Sequence, residues 1–341
     1  MGGFRFCSRL GTAMVAAAVS MAGVGLSIAA EPVAHADASP AVAAVEPATA
    51  RVDTVINYQH AIGAGTGFVL DPNGALLTNF HVVQGADKVM ATVGGRPYRA
   101  DLVGYDRHHD IAVLQLRGAS GLPVAPLGDS SQLAVGDDVV ALGNADGSDS
   151  ALTQETGHVI GLGRTISAKD ELTGSSEQVT GLIQFAAPVR AGDSGGPLIS
   201  ADGHVVGMTT AATLNYRMGP GGEGFAIPIN EALAIAAQIR SGAASNTVHI
   251  GQPTLLGVGV GGPDEHSQLP GVLIRDVIGG GPAQQAGVMP GDVLVSIDSV
   301  TVSSASALTS VLDRHAPGDV VELFWIDRAG QQHTGKATLT S

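Results

Sequence analysis

The chain has 341 residues, 44% of them apolar, with 48 glycines, 4% aromatics and a formal net charge of −14 from 17 basic and 31 acidic side chains. It is too apolar for a disordered tail and long enough for two domains. Its acidity argues against nucleic acid or anionic lipid as a general partner, and the single cysteine, Cys7, excludes a disulfide scaffold or thiolate metal cluster.

The first 36 residues read as an export signal. Arg5 and Arg9 precede an uncharged stretch from Leu10 to Ala30, and Ala34-His35-Ala36 places small residues around a cleavable bond before Asp37. The run is long enough to serve instead as an uncleaved membrane anchor. Its dilution with Gly, Ser and Ala favours cleavage, so the expected location is secreted, extracellular or in the cell envelope. Residues 37–51 are rich in Ala, Pro and Val and are expected to form a tether or disordered lead-in.

Residues 52–240 form the first predicted domain. Short apolar runs at Gly67–Leu70, Ala75–Thr78, Ile111–Leu116, Val139–Leu142, Gly181–Phe185, Pro197–Ser200 and His204–Thr209 alternate with turn signals such as Asp71-Pro72-Asn73-Gly74 and Ala201-Asp202-Gly203. Many short strands and few helices point to a sandwich or barrel, closed by a helix over Asn230–Arg240. Residues 241–252 read as a small polar linker. Residues 253–341 mix strands with a helix over Ala305–His315, on which Leu308, Val311 and Leu312 share a face, so the second domain is α+β.

The most informative string is Gly192-Asp193-Ser194-Gly195-Gly196-Pro197. A serine nucleophile must project its hydroxyl from a tight turn while backbone N–H groups converge on one point, and glycines permit that approach. Its candidate partners are His81, just past a predicted strand in Thr78–Val83, and Asp110, at the mouth of the strand Ile111–Leu116. Asp101 and Asp106 compete for the acid's role, and Asp110 is preferred because it abuts that strand. The order His, Asp, Ser is that of the chymotrypsin-like arrangement. A lipase-like hydrolase is weaker, since its serine should sit on a strand-to-helix elbow and here a strand and hairpin follow. His108-His109-Asp110 invites a metal reading, yet neighbours on an extended chain point to opposite sides and no His-Glu-x-x-His string exists; neither metal nor cofactor is expected.

With Gly65-Thr66-Gly67, Thr78–Val83, Asp110–Leu114, Gly192–Leu198 and Gly224–Pro228 in this order, the chain resembles the HtrA/Deg family of serine proteases, most of all its secreted actinobacterial branch. The resemblance implies a mostly β protein, a chymotrypsin-like double β-barrel followed by an α+β PDZ domain. It implies Ser194 as nucleophile, His81 as general base and Asp110 as the group fixing the imidazole. The N–H groups of Gly192 and Ser194 would form the oxyanion hole. Pro188 would lie at the base of the S1 pocket, with Thr210, Ala211 and Ala212 at its edge. No carboxylate stands there, so cleavage is expected after Val, Ala, Leu or Ile rather than after Lys or Arg. Asp193 stands where most of the family has Asn, and Arg190 or Arg164 is expected to partner it.

In the second domain, Leu255, Leu256, Gly257 and Val258 resemble a PDZ carboxylate-binding loop, with Val258–Val260 as the strand a peptide would join. Leu308 and Leu312 would line the other wall. Gly280–Ala286 and Pro290–Leu294 extend the match. The implied function is endopeptidase action on unfolded or damaged proteins, with C-terminal peptides held at the PDZ groove or the PDZ domain regulating the protease. The alternative is a PDZ-dominated chaperone or binding protein with a latent protease domain. Assembly into a homo-oligomer stays open: the family offers trimers, while the lead-in has no aromatic anchors.

Overall fold

The computed structural model describes residues 40–56, 61–145, 147, 151–169, 176–210, 222–261 and 271–341. The first barrel is built from β1 (Thr49–Ile56), β2 (Ala61–Val69), β3 (Ala75–Thr78), β4 (Lys88–Val93), β5 (Arg96–Asp106) and β6 (Ile111–Leu116). Its strands run β5-β4-β1-β2-β3-β6, and a β5–β6 pairing closes the ring. A one-turn helix, α1 (Pro40–Val45), precedes it, and another, α2 (Phe80–Val83), follows β3. The second barrel is closed in the order β10-β11-β12-β9-β8-β7. These strands are β7 (Asp138–Gly143), β8 (Thr153–Lys169), β9 (Ser176–Ala186), β10 (Pro197–Ser200), β11 (Val205–Thr210) and β12 (Gly224–Pro228).

Local chemistry explains the turns that hold these strands in register. At the β2–β3 hairpin the Asp71 carboxylate accepts the Asn73 N–H at 2.9 Å, and Gly74 takes φ +96°, where a side chain is disfavoured. β3 and β6 are buried on both faces apart from Gln115, which accounts for their near-continuous apolar sequence. Helix α3 (Ile229–Arg240) buries Ile229, Ala232, Ala236 and Ile239, one face of a 3.6-residue period.

The C-terminal domain has its own core around Leu256, Ile274, Leu294, Leu323 and Trp325. Its sheet runs β14 (Val258–Val260), β15 (Val272–Val277), β16 (Val293–Ile297), β18 (Val320–Ile326), β19 (Gln332–Thr338), with β17 (Val300–Thr301) on β16. Two helices complete it, α4 (Pro282–Ala286) and α5 (Ala305–Leu312). The Ser304 hydroxyl accepts the Ala307 N–H at 3.0 Å, an N-cap contributing about 1 kcal/mol to α5.

The structure corrects two segment expectations. The lead-in is not a tether from Pro40 onward: α1 sends Val42 and Val45 into the core, both at 1% exposure or less, and β1 starts at Thr49. Nor is 241–252 a plain linker. It contains β13 (Val248–Ile250), which adds to the edge of the first barrel with His249 opposite Tyr105. Both segments are short and poor in large side chains, so neither shows an apolar period of its own.

Candidate active site

His81 and Asp110 meet because β3 and β6 are paired and each ends at the same rim of the first barrel. Asp110 takes a left-handed backbone, φ +54°, which costs an L-residue about 1 kcal/mol and which Asp tolerates better than most. Its surroundings hold that conformation. The Asp110 carbonyl accepts the side-chain amide of Asn79 (2.9 Å) and the N–H of Phe80 (3.2 Å). Oδ1 accepts the His81 N–H at 2.9 Å, and Oδ2 accepts the Thr210 hydroxyl at 3.2 Å. Oδ2 also lies 2.8 Å from Nδ1 of the His81 ring. A carboxylate offers only acceptors, so the ring proton sits on Nδ1 and Nε2 keeps its lone pair.

The competing acids are engaged elsewhere. Asp101 forms a two-point pair with Arg117, both contacts at 2.6 Å. Asp106 is buried beside His109, with 2.9 Å between Oδ2 and Nδ1. Burial pulls the Asp106 carboxyl upward, but the His109 contacts outweigh it and hold its pKa below the ordinary value. The close approach of the Asp106 carboxylate raises the pKa of His109. Among the described residues no group of three or more His, Cys, Asp or Glu side chains is placed to hold a metal.

Ser194 follows a turn closed by the Asp193 N–H on the Arg190 carbonyl at 3.1 Å. With φ +99° at its third residue, Gly192, this is a type II turn, which rotates the Ala191–Gly192 peptide away from its type I orientation. A Cβ at Gly192 would also come within 2.6 Å of the Asn144 carbonyl. Both barrels fix the serine loop. From β2, the Thr66 hydroxyl donates to the Gly192 carbonyl at 2.6 Å and the Thr66 N–H to the Ser194 carbonyl at 2.8 Å. From β11, Thr209 exchanges backbone hydrogen bonds of 2.8 Å with Gly195 and Gly196. Ser194 is 6% exposed.

The buried Asp193 is held through groups with no signal in the local sequence. Its Oδ1 accepts the Thr153 hydroxyl at 2.8 Å, and Oδ2 accepts the backbone N–H of Arg190 at 2.8 Å. Arg190 thus serves through its main chain and its nearby charge, while its guanidinium lies 3.4 Å from Glu155. The Arg164 guanidinium lies against Gly161 of its own strand. Burial raises the Asp193 pKa above the ordinary carboxylate value, against the lowering effect of those donors.

Of the residues expected around S1, Pro188 is exposed and the Gly222 backbone packs against it. Thr210 is buried with its hydroxyl on Asp110, and Ala211 and Ala212 lie outside the described residues. In the C-terminal domain Gly257 takes φ +77° and Val258 opens β14, the edge strand of its sheet. The Leu255 N–H donates to the Thr340 carbonyl at 2.7 Å, and its side chain is 44% exposed. Leu256, Leu308 and Leu312 are buried together in the domain's core.

Comparison with known proteins covers both halves. The trypsin-like peptidase domain matches residues 65–208, and the PDZ domain matches residues 254–335. Serine protease PepD of Mycobacterium tuberculosis is 33% identical over 313 residues, 87% of this chain and 64% of its own. A protein of Halomonas elongata named as a DegP-like periplasmic serine endoprotease is 35% identical over 263 residues, 76% of this chain and 52% of its own. The chain therefore spans about half to two thirds of the length of these relatives. The solved structure of the HtrA-type protease AlgW with a decapeptide matches with a TM-score of 0.50 and 27% identity, covering 89% of this chain and 98% of that one. These matches lie in both barrels and in the C-terminal domain: the chain carries a trypsin-like peptidase domain followed by a PDZ domain, and over most of its length it is similar to HtrA-type serine proteases.

Proposed function

We propose that the chain is a secreted serine endopeptidase of the actinobacterial type that cleaves unfolded or damaged proteins. The observation that carries this reading is the convergence on Asp110, whose Oδ2 lies 2.8 Å from Nδ1 of His81, at the rim that also receives the Ser194 loop through Thr66. Nε2 of His81 takes the Ser194 hydroxyl proton as Oγ bonds to the substrate carbonyl carbon. Asp110 stabilises the resulting imidazolium. The carbonyl oxygen becomes an oxyanion facing the N–H groups of Gly192 and Ser194, each such donor contributing about 3 kcal/mol in the transition state. Collapse breaks the C–N bond, and the imidazolium protonates the leaving amine. Water, activated by the same imidazole, then hydrolyses the acyl-enzyme.

Substrate preference follows from the pocket chemistry. With Pro188 in place of a carboxylate, cleavage is after Val, Ala, Leu or Ile. The edge strand β14, opened by Gly257, suits a peptide C-terminus, and a relative's solved structure includes a decapeptide. Secretion is supported by the signal pattern in residues 1–36, which lie outside the described residues, and by a relative named periplasmic. Among the described residues no helix is long and apolar enough to cross a membrane.

The test is labelling of the purified mature protein with a fluorophosphonate. Labelling that disappears in Ser194→Ala supports the hydrolase. No labelling with or without peptide overturns it in favour of a PDZ-dominated binding protein. A peptide library cleaved mainly after basic residues would overturn the S1 assignment.

A further inference from the structure

A carboxylate of the PDZ domain is lodged against the barrel that carries His81. Asp313 ends α5, its N–H bonded to the Thr309 carbonyl at 2.8 Å. Its Oδ1 accepts the Tyr105 phenol at 2.7 Å and Arg107 Nη2 at 3.4 Å, and its Oδ2 accepts Arg107 Nε at 3.2 Å. His249 of β13 brings Nε2 to 3.9 Å from the same carboxylate. Tyr105 is 1% exposed, and burial together with the Asp313 charge keeps its phenol protonated as a donor.

Tyr105 and Arg107 both bear on Phe80. The Tyr105 ring stacks on it with centroids 4.4 Å apart at 19°, and Arg107 Cζ lies 4.6 Å from its centroid. Phe80 is buried, immediately precedes His81, and donates its N–H to the Asp110 carbonyl. The two groups that grip Phe80 therefore share one acceptor, and that acceptor belongs to the other domain.

We propose that Asp313 is a positioning residue for His81, acting through Tyr105, Arg107 and Phe80. Without it a buried phenol and a largely buried guanidinium lose their common acceptor and must turn toward water or another group. Either movement loosens the grip on Phe80 and shifts the His81 ring relative to Ser194 and Asp110. The PDZ domain in this account supplies part of the support of the catalytic site, and α5, the wall of the proposed peptide groove, is its carrier. The inference rests on the reading of His81 as general base.

The test uses the full chain. Asp313→Ala is expected to lower kcat about tenfold with KM changed by less than about twofold, as misplacement of a catalytic group predicts. Tyr105→Phe should lower kcat in the same direction, and the double variant should fall no further than Asp313→Ala alone. His315→Ala, on the same end of the helix and paired with Asp298 and Asp319 within the PDZ domain, should leave kcat unchanged. The low-field Nδ1 proton of His81, assigned by its loss in His81→Ala, should shift or broaden in Asp313→Ala.

An unchanged kcat in Asp313→Ala, additive effects in the double variant, or an equal loss in His315→Ala would each overturn the proposal. If the wild type shows no Ser194-dependent turnover, the hydrolase reading falls. The His81 proton then decides the positioning role alone: an unaltered resonance in Asp313→Ala refutes it, and a shifted one upholds it.

Discussion

The Thr153 hydroxyl donates to Oδ1 of Asp193 across 2.8 Å and accepts the Ala145 N–H at 3.4 Å. This ties the start of β8 to the residue before the candidate nucleophile. Asp193 thereby anchors the type II turn from below, while the Arg190 N–H fills its other oxygen. Thr153→Val keeps the shape and removes one of the donors to a buried carboxylate, at a cost of about 1–3 kcal/mol. We expect Thr153→Val to lower the melting temperature and to reduce kcat by about one order of magnitude as the Gly192 N–H loses its fixed direction. Thr153→Ser should restore most of both. A Thr153→Val enzyme with wild-type kcat would show that the turn holds itself.

The raised pKa of Asp193 has a defined consequence for stability. Burial disfavours the charged form in the folded protein more than in the unfolded chain. The stability this group contributes is therefore fully present below the ordinary carboxylate pKa of about 3.9 and is lost as pH rises through the folded value. Asp193→Asn does not titrate. Across that window its stability should rise relative to wild type and then stay level. Urea unfolding at a series of pH values from about 3 to 7 checks this. A difference that is constant with pH would mean that Asp193 has the same pKa folded and unfolded.

Much of this arrangement is legible in the sequence. Gly192, Ser194, His81 and Asp110 stand out because each occupies a short string whose residue types serve one geometry. The strands β3, β6 and β10 are bounded where their apolar runs are bounded. Thr153 is not legible in this way. Its role depends on the β7–β8 register that sets it opposite Gly143, whose missing side chain leaves the space occupied by Asp193 Oδ1. Asp313 is equally silent, since a carboxylate after a helix reads as a solvated end until Tyr105 and Arg107 are brought to it from another domain. Long-range pairing, not local propensity, assigns both residues.

The Asp106–His109 pair beside the candidate triad acid predicts a bounded pH optimum for stability. The Asp106 pKa is lowered, so its contribution is present above about pH 3.9 and is lost as pH falls through its folded value. The His109 pKa is raised, so its contribution is present below about pH 6.5 and is lost as pH rises through its folded value. The pair therefore stabilises most between those limits. His109→Gln should flatten the stability profile on the alkaline side, as seen in melting temperature against pH. A profile that keeps its alkaline fall in His109→Gln would assign that fall to another group.

Thr210 gives the sharpest test of the candidate triad, because its hydroxyl donates directly to the Asp110 carboxylate. The Oδ2 atom that receives this hydroxyl at 3.2 Å also faces His81 Nδ1 at 2.8 Å. Thr210→Val keeps the β-branched shape and removes the hydroxyl at a position 1% exposed, so the strand geometry of β11 is retained. Without the donor, Asp110 loses one of the contacts that fix its carboxylate plane, and the imidazolium loses part of its stabilised partner. We expect kcat to fall by roughly three- to tenfold, with KM nearly constant, because the lost contact acts on the charge that develops in the transition state. Thr210→Ser, which keeps the hydroxyl, should recover most of the rate. If Thr210→Val and Thr210→Ser were equally impaired, the loss would come from packing at β11, and the hydroxyl would have no part in orienting Asp110.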